Sequence, residues 1–250
     1  MIATITLNEQ QYTIDLMVPL DIALPIQAAD SAASAWYCPP AIISPVMTEH
    51  FIGDVKLGGA VNFNNIFFNP HANGTHTECV GHISKEFVSI NQVLKRFFFK
   101  AQLVSIQPEQ QNKDAVITTQ QIISIFQANK DVEALIIRTL PNSVLKKTKQ
   151  YSNSNPAYVQ ADAMNWLYEQ GIRHFMIDTP SVDKELDEGV LAAHHQFWNY
   201  PQKPRLDATI TEMIYVPEAI EDGHYMLNLQ IAAFENDASP SKPTLYRFIE

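Results

Sequence analysis

The chain has 250 residues, of which 46% are hydrophobic, and a formal net charge of −10. This composition supplies enough apolar residues for a sizeable core, and we expect one domain spanning residues 1–250. The negative charge, without a cluster of lysine and arginine, argues against nucleic acid or an anionic membrane surface as a partner.

The sequence also bears on the cellular compartment. Two cysteines, Cys38 and Cys79, are too few for a disulfide framework, which favours a reducing setting. The first 16 residues carry threonines and acids where a signal peptide has a basic and then an apolar region. No stretch approaches the ~20 apolar residues that a membrane helix needs. We therefore expect a soluble, cytoplasmic protein.

The N-terminal part predicts a hairpin followed by a long irregular segment. Residues 2–7 and 11–16 alternate between apolar and polar side chains, as in strands joined by a tight turn. Residues 19–50 contain repeated prolines and are expected to form a loop that covers a site or a subunit contact. Trp36 and Tyr37 in this loop are either an aromatic wall over a substrate or anchors that hold the loop on the surface.

The rest of the chain predicts an α/β pattern. Thr118 and Gln121 have the spacing of a capping box at a helix start. The strand–helix–strand order 133–139, 159–170 and 174–178 predicts a parallel crossover, and active sites commonly lie at the carboxyl ends of such strands. The other predicted elements are a strand pair at 54–68 around Gly58 and Gly59, a helix at 90–99, a strand at 101–107, a helix from Thr118 to about Ala128, a loop at 141–157, a helix at 188–198, and strands at 207–217 and 224–234.

The most informative segment reads NPHANGTHTECVGH and holds three of the eight histidines together with one carboxylate. Imidazole and carboxylate are the ligands that hold zinc, manganese or iron in catalytic sites. In an extended segment His76 and Glu78 point the same way, as does His82 if the extension persists. A bend at Gly74 would bring His71 towards them. The alternative is a polar loop whose histidines are close by coincidence.

A second set of candidate ligands lies in the C-terminal half. His194 and His195 are adjacent, and only one of them can be a metal ligand, because neighbouring helix positions face different directions. Glu212 is an acid in an otherwise strand-like segment; if buried it needs a partner such as a metal or an arginine, because an unpaired buried charge is costly. Alternatively, Glu212 lies on a solvated face. The remaining histidines are expected to be ordinary surface or strand residues: His50, His174 and His224.

The histidine-rich segment resembles the signature of the cyclase family of metal-dependent hydrolases, which includes bacterial kynurenine formamidase and isatin hydrolase. That signature reads His-x-Gly-Thr-His-x-Asp-x-Pro-x-His. This chain matches its Gly-Thr-His core at 74–76 and the spacing from His76 to His82. The resemblance covers most of the chain, and it extends to IDLMVPL at 14–20, IDTPSVD at 177–183, AHH at 193–195 and Glu212.

The resemblance implies a swivelling β/β/α fold, an α/β domain with a mixed sheet and flanking helices. It also implies a divalent metal centre of one or two ions, Zn²⁺ in the first place and Mn²⁺ as the alternative. His71 and His76 would hold one ion. Glu78 and Glu212 would bridge to a second ion held by His194, the first histidine of its pair.

The resemblance further implies an activity. His82 would be the proton donor and acceptor, and Trp36 would contact the substrate. The expected reaction is cleavage of the C–N or C–O bond of a small aryl formamide, cyclic amide or lactone by metal-bound hydroxide. Members of the family form dimers or tetramers, so a homodimer or homotetramer is expected here, with the 19–50 loop as a candidate for exchange between subunits.

The chain departs from the family signature at three places. One extra residue separates His71 from the Gly-Thr-His core, Glu78 replaces aspartate, and Val80 replaces proline. These departures suggest a distinct subgroup, and they leave a second hypothesis open, a non-catalytic metal- or ligand-binding protein on the same scaffold. Cys79 as a nucleophile is a further alternative that explains fewer residues. We also expect the TPSVD turn and residues 234–241 to supply hydrogen bonds to the metal ligands.

Overall fold

A mixed sheet that closes on itself forms the centre of the fold in the computed structural model, which describes residues 1–126 and 131–249. The strands are β1 (Ile2–Leu7), β2 (Gln10–Asp15), β3 (Leu20–Asp21), β4 (Ile42–Pro45), β5 (Met47–Thr48), β6 (Phe51–Ile52), β7 (Asn64–Phe67), β8 (His76–Cys79), β9 (Phe98–Ile106), β10 (Glu109–Gln111), β11 (Asp114–Ile117), β12 (Ala134–Thr139), β13 (Tyr158–Val159), β14 (His174–Ile177), β15 (Thr209–Glu212), β16 (Gly223–Ile231) and β17 (Ala238–Ile249). The α-helices are α1 (Ile90–Val93), α2 (Thr119–Ile125), α3 (Ala161–Glu169) and α4 (Ala192–Trp198). Short 3₁₀ turns occupy Val55–Leu57, Val80–His82 and Val144–Thr148.

The sheet forms a closed ring. Its strands pair in the order β17–β16–β9–β12–β14–β15–β8, and β8 pairs again with β17. Strands β9, β12, β14 and β15 are mutually parallel, whereas β8, β16 and β17 run antiparallel to their neighbours. The predicted hairpin β1–β2 is confirmed and extends the sheet from β17. The expected mixed α/β fold is likewise confirmed.

The parallel strands are buried on both faces, which explains their continuous apolar sequences. In β12, Leu135 and Ile137 pack in a cluster with residues of α2, α3 and α4 on the outside of the ring. Ala134 and Ile136, which alternate with them, belong to a second cluster that includes residues of β16 and β17. The predicted crossover is confirmed, because β12 and β14 pair in parallel and α3 lies between them in the chain.

Several predicted boundaries are wrong. The helix expected at 90–99 ends at Val93, because Phe98 already pairs with β16. The strand expected at 207–217 ends at Glu212, where Met213 turns the chain with a positive φ of 54°. The helix expected at 188–198 begins at Ala192, after Leu191 in a left-handed conformation. The capping box of α2 is present, but that helix ends at Ile125, and Ala128 lies outside the described residues.

The strand pair predicted at 54–68 is wrong, because only Asn64–Phe67 in that range forms a strand. Strand β7 pairs with β4, and β5 pairs with β6 inside the same loop, so residues 42–67 form one long hairpin. We call this hairpin the arm. Gly58 does mark a turn, with φ of 91°, but it ends a 3₁₀ turn instead of joining two strands. The expected 19–50 loop divides accordingly. Ile22, Leu24 and residues 32–35 are buried in the body of the protein, whereas residues from 42 onward belong to the arm.

Candidate metal centre

Histidine and carboxylate side chains from four parts of the chain meet at one edge of the ring. Strand β8 begins with His76, which stands opposite Glu212, the last residue of β15. Glu78 follows His76 by two positions and therefore lies on the same face of β8. His194 comes from α4, and the 3₁₀ turn after β8 ends at His82.

A tight turn brings His71 to the same place despite the extra residue before the Gly-Thr-His core. The backbone N–H of His71 donates to Asn69 Oδ1, and Asn73 Oδ1 accepts from the backbone N–H of Asn69. Gly74 then adopts a φ of +95°, and a Cβ there would lie 3.0 Å from the carbonyl oxygen of Leu24. This position therefore requires glycine.

The geometry brings together all five residues expected as metal ligands. Glu78 lies at the centre, with Oε2 3.0 Å from His71 Nδ1 and Oε1 3.0 Å from His194 Nε2. His76 Nε2 is 3.4 Å from Glu212 Oε2, and Glu212 Oε1 is 3.8 Å from His194 Nε2. The alternative in which Glu212 lies on a solvated face is wrong, because its exposure is 3%.

The donor atoms fit a cation. Among the described residues His76 Nε2 is buried without a hydrogen-bond partner, and the buried Glu78 Oε2 has only His71 Nδ1 within 3.0 Å. Such orphaned polar atoms are costly unless something satisfies them. Donor atoms of His71, His76 and Glu78 lie within 4.8 Å of one another, as do those of Glu78, His82 and His194. Glu78 thus belongs to two groups that could each hold an ion.

In the metal-free protein, neighbouring carboxylates raise the pKa of two histidines of the cluster, His71 and His194. Burial alone would lower the pKa of His71, but hydrogen bonds to Asp237 and Glu78 outweigh it and raise that pKa to about 10. For His194, burial is likewise outweighed by Asp183 and Glu78, which raise its pKa. Burial alone would raise the pKa of Glu78, but the nearby His82 and the hydrogen bonds with His194 and His71 lower it. A divalent cation in this cluster would take the place of those protons.

Two further acids contact the ring nitrogens of the histidines: Asp183 contacts His194, and Asp237 contacts His71 and His82. Asp183 Oδ2 lies 2.5 Å from His194 Nδ1, and its two oxygens also accept the backbone N–H groups of Ala193 and His194. Asp237 Oδ2 lies 2.8 Å from His71 Nε2 and 3.4 Å from His82 Nδ1. The expected hydrogen bonds from the TPSVD turn and from residues 234–241 are therefore present. Sequence reasoning located these segments without singling out the two acids.

A cavity of about 330 Å³ opens beside the cluster. His71, His82, His194 and Glu212 line it on one side, and Trp36 lines it on another. The main chain at Trp36 has a positive φ of 57°, and its ring packs against a buried cluster that includes Tyr151. The aromatic wall predicted for Trp36 therefore agrees with its place on this cavity.

The other candidates lie apart from the cluster. His195 Nδ1 is 3.0 Å from the carbonyl oxygen of Tyr200, and His195 does not line the cavity. Cys79 is buried in the core, where its thiol donates to the carbonyl oxygen of Val88, and burial raises its pKa to about 12. A thiol held protonated in this way is a poor nucleophile. Trp198 packs 5.4 Å from the His194 ring and supports it.

Comparison with known proteins identifies the family. The model of the Cyclase family ("Putative cyclase") matches residues 14–184, and the chain belongs to this family. Kynurenine formamidase of Bacillus mycoides (strain KBAB4) is 30% identical over 114 residues, which are 46% of this chain and 49% of that protein. The chain thus spans about half the length of the curated relatives that it matches first.

Solved structures share the fold. A potential metal-dependent hydrolase with cyclase activity superposes with a TM-score of 0.66 at 15% identity, over 92% of this chain and 97% of the other. Isatin hydrolase A from Ralstonia solanacearum superposes with a TM-score of 0.67 at 12% identity, over 92% and 91%. Within the described residues, no helix has both the length and the apolar character needed to cross a bilayer.

Proposed function

We propose that this protein is a metal-dependent hydrolase that cleaves the C–N or C–O bond of a small aryl formamide, cyclic amide or lactone. The observation that carries the proposal is the buried His76 Nε2, which has no hydrogen-bond partner among the described residues and lies in a cluster with the buried Glu78 carboxylate, beside a cavity with an aromatic wall. Membership of the cyclase family and relatives named kynurenine formamidase and isatin hydrolase support the same chemistry.

The proposed ligands are His71, His76, Glu78, His194 and Glu212. Mixed imidazole and carboxylate donors suit Zn²⁺ and Mn²⁺. The two oxygens of Glu78 lie 3.0 Å from His71 Nδ1 and 3.0 Å from His194 Nε2, and this central position favours two ions. When bound, the metal supplies Lewis acidity that activates water and polarises the scissile carbonyl group.

The remaining steps fall to side chains of this protein. His82 lies on the cavity with 29% of its side chain exposed, so it can exchange protons with solvent and reach a bound substrate. His82 Nδ1 lies 3.4 Å from Asp237 Oδ2, and its Nε2 lies 3.9 Å from Glu78 Oε2, so Nε2 faces the cluster. We assign to His82 the transfer of a proton to the leaving nitrogen or oxygen. Trp36 would cover the aryl group of the substrate.

The test is turnover by the metal-loaded protein. Aryl formamides, cyclic aryl amides and aryl lactones should be assayed separately, with chelated and reconstituted protein side by side. The proposal predicts hydrolysis of at least one class, loss on chelation and recovery on addition of Zn²⁺ or Mn²⁺. Tight metal binding without turnover of any class would favour the alternative of a non-catalytic binding protein.

We also propose that the protein is a homo-oligomer assembled through the arm. Eleven large apolar side chains within residues 42–67 are exposed, among them Ile42, Ile66 and Phe67 at 55%, 56% and 63%. Each of the eleven is about half exposed, and three of them are aromatic, so together they present on the order of 1,000 Å² of apolar surface. A standard interface buries about 800 Å² per partner, so the arm is large enough to join two copies.

Light scattering on the full chain tests this assembly. The wild type should be a dimer or a tetramer, and a double change of Ile66→Glu and Phe67→Glu should yield a monomer. Phe87→Glu, an equally exposed position outside the arm, is the control and should leave the assembly unchanged. A monomeric wild type at micromolar concentration would overturn the proposal.

A further inference from the structure

A second cavity, of about 610 Å³, lies at the same edge of the sheet as the metal cluster but shares no lining residue with the first. Its wall includes Gln107, Leu140 and Thr179, which stand just beyond the carboxyl ends of the parallel strands β9, β12 and β14. This is where α/β sheets commonly bind ligands. None of the proposed metal ligands lines it.

One of the two lysines in this cavity is already neutralised. Lys146 Nζ lies 2.8 Å from Asp178 Oδ2 and 2.9 Å from Thr139 Oγ1. The other oxygen of Asp178 accepts from Thr139 Oγ1, and Oδ2 also accepts the Thr139 backbone N–H. The buried pair therefore carries no net charge, and it fixes the end of β12 to the end of β14.

Lys149 is different because its charge has no matching acid at close range. Its ammonium lies 4.9 Å from the centre of the Tyr151 ring, and within the described part of the chain it makes no ion pair inside 4.0 Å. Burial and the neighbouring Lys146 lower its pKa, opposed by Glu185. Glu185 itself is engaged elsewhere, since it accepts the backbone N–H groups of Asn153 and Asn155.

The rest of the wall is largely apolar and is supplied by residues such as Pro108, Ala115, Leu140 and Leu145. An apolar wall with one unmatched cation suits a ligand that has an apolar body and a single negative group. We propose that this cavity is a second ligand site, distinct from the metal centre, that binds a small aromatic monocarboxylate with its carboxylate on Lys149 and its ring against the apolar wall.

Binding of benzoate to the full-length protein, followed by calorimetry, tests the proposal. The wild type should bind benzoate and bind the neutral isostere benzamide at least tenfold more weakly. Lys149→Gln should raise the dissociation constant for benzoate at least tenfold. Lys147→Gln is the matched control. Lys147 lies in the same 3₁₀ turn as Lys146, but it contacts Tyr215 and does not line the cavity. The Lys147→Gln variant should bind benzoate with the same affinity as the wild type.

Two further variants locate the site and separate this proposal from the proposed hydrolase function. Ala115→Phe fills the cavity while keeping Lys149, and it should also abolish benzoate binding. His76→Ala removes a metal-cluster residue and should bind benzoate as the wild type does, whether or not the protein is a hydrolase. The proposal would be overturned if His76→Ala lost benzoate binding while Lys149→Gln retained it. It would also be overturned if the wild type bound inorganic phosphate as tightly as benzoate.

Discussion

His76 and Glu212 face each other across adjacent antiparallel strands, with His76 Nε2 3.4 Å from Glu212 Oε2. These residues are 136 positions apart in sequence, and the register of β8 against β15 alone brings them together. Because backbone hydrogen bonds set that register, the pair is held rigidly before any ligand binds. A rigid set of donors is what a metal site needs for tight binding.

Replacing His82 separates metal binding from proton transfer. We predict that His82→Ala keeps most of its metal and loses 10²–10⁴-fold in kcat on a true substrate, the usual range for loss of a general acid or base. Metal analysis and steady-state kinetics on the same preparation would measure both. His50→Ala, at an exposed position, is the control. Wild-type turnover by His82→Ala would contradict the role assigned to this residue.

Removing the charge behind His194 should weaken the metal site without removing a ligand. Asp183 fixes the orientation of the His194 ring, and loss of such partners typically costs ~10–100-fold in metal affinity. We therefore predict that Asp183→Asn binds metal ~10–100-fold more weakly in chelator competition. Asp162→Asn, on the exposed face of α3, should match the wild type. Unchanged affinity in Asp183→Asn would show that the ring does not depend on this contact.

Metal binding should release protons. In the metal-free protein Asp237 and Glu78 raise the pKa of His71 to about 10, so His71 is protonated at neutral pH and must lose that proton to ligate. The apparent affinity should therefore rise between pH 6 and 9 by about one decade per pH unit for each proton released. Calorimetry in buffers of different ionisation enthalpy counts those protons. Binding without proton release would exclude His71 as a ligand.

Acid should destabilise the fold through a histidine far from the metal cluster. Burial, reinforced by Arg96, Arg173 and Arg205, lowers the pKa of His174 to about 3. Because the folded-state pKa lies below the unfolded value of about 6.5, His174 lowers the free energy of unfolding as pH falls from 6.5 towards 3. The slope is at most about 1.4 kcal/mol per pH unit.

Urea unfolding across this pH range measures the effect. His174→Gln removes the titrating group and should lose less stability between pH 6.5 and 4 than the wild type, even if it is less stable at pH 7. His50→Gln should follow the wild type, because His50 is exposed. Parallel curves for the wild type and His174→Gln would contradict the assignment.

Much of the cluster could be predicted from the sequence because it depends on local spacing. Alternation in an extended segment placed His76 and Glu78 on one face, and the cost of burying an acid pointed to a partner for Glu212. His71 was harder, because its position depends on how the turn from Asn69 to Gly74 absorbs one extra residue. Asp237 could not be singled out from its neighbours in the sequence, because it is the pairing of β17 with β8 that brings it next to the histidines.

The arm could not be predicted for a related reason. The sequence suggested a strand pair around Gly58 and Gly59. In the structure Ile42 is instead paired with Phe67 in the outer part of the arm, and Met47 is paired with Ile52 in a short hairpin inside it. An exposed hairpin has no buried face to fix its register by hydrophobic alternation. Exposure on both faces of the arm is itself visible only in the structure.

The most direct test of the account is the metal content of the purified protein. Elemental analysis of the wild type, His76→Ala and the control His50→Ala should be accompanied by circular dichroism to verify folding. We predict one or two equivalents of zinc or manganese in the wild type and in His50→Ala, and a loss of metal in folded His76→Ala. Two equivalents would support a two-ion site around Glu78. A wild-type protein that takes up no metal, even after reconstitution with Zn²⁺ or Mn²⁺, would contradict the proposed metal centre and the hydrolase function with it.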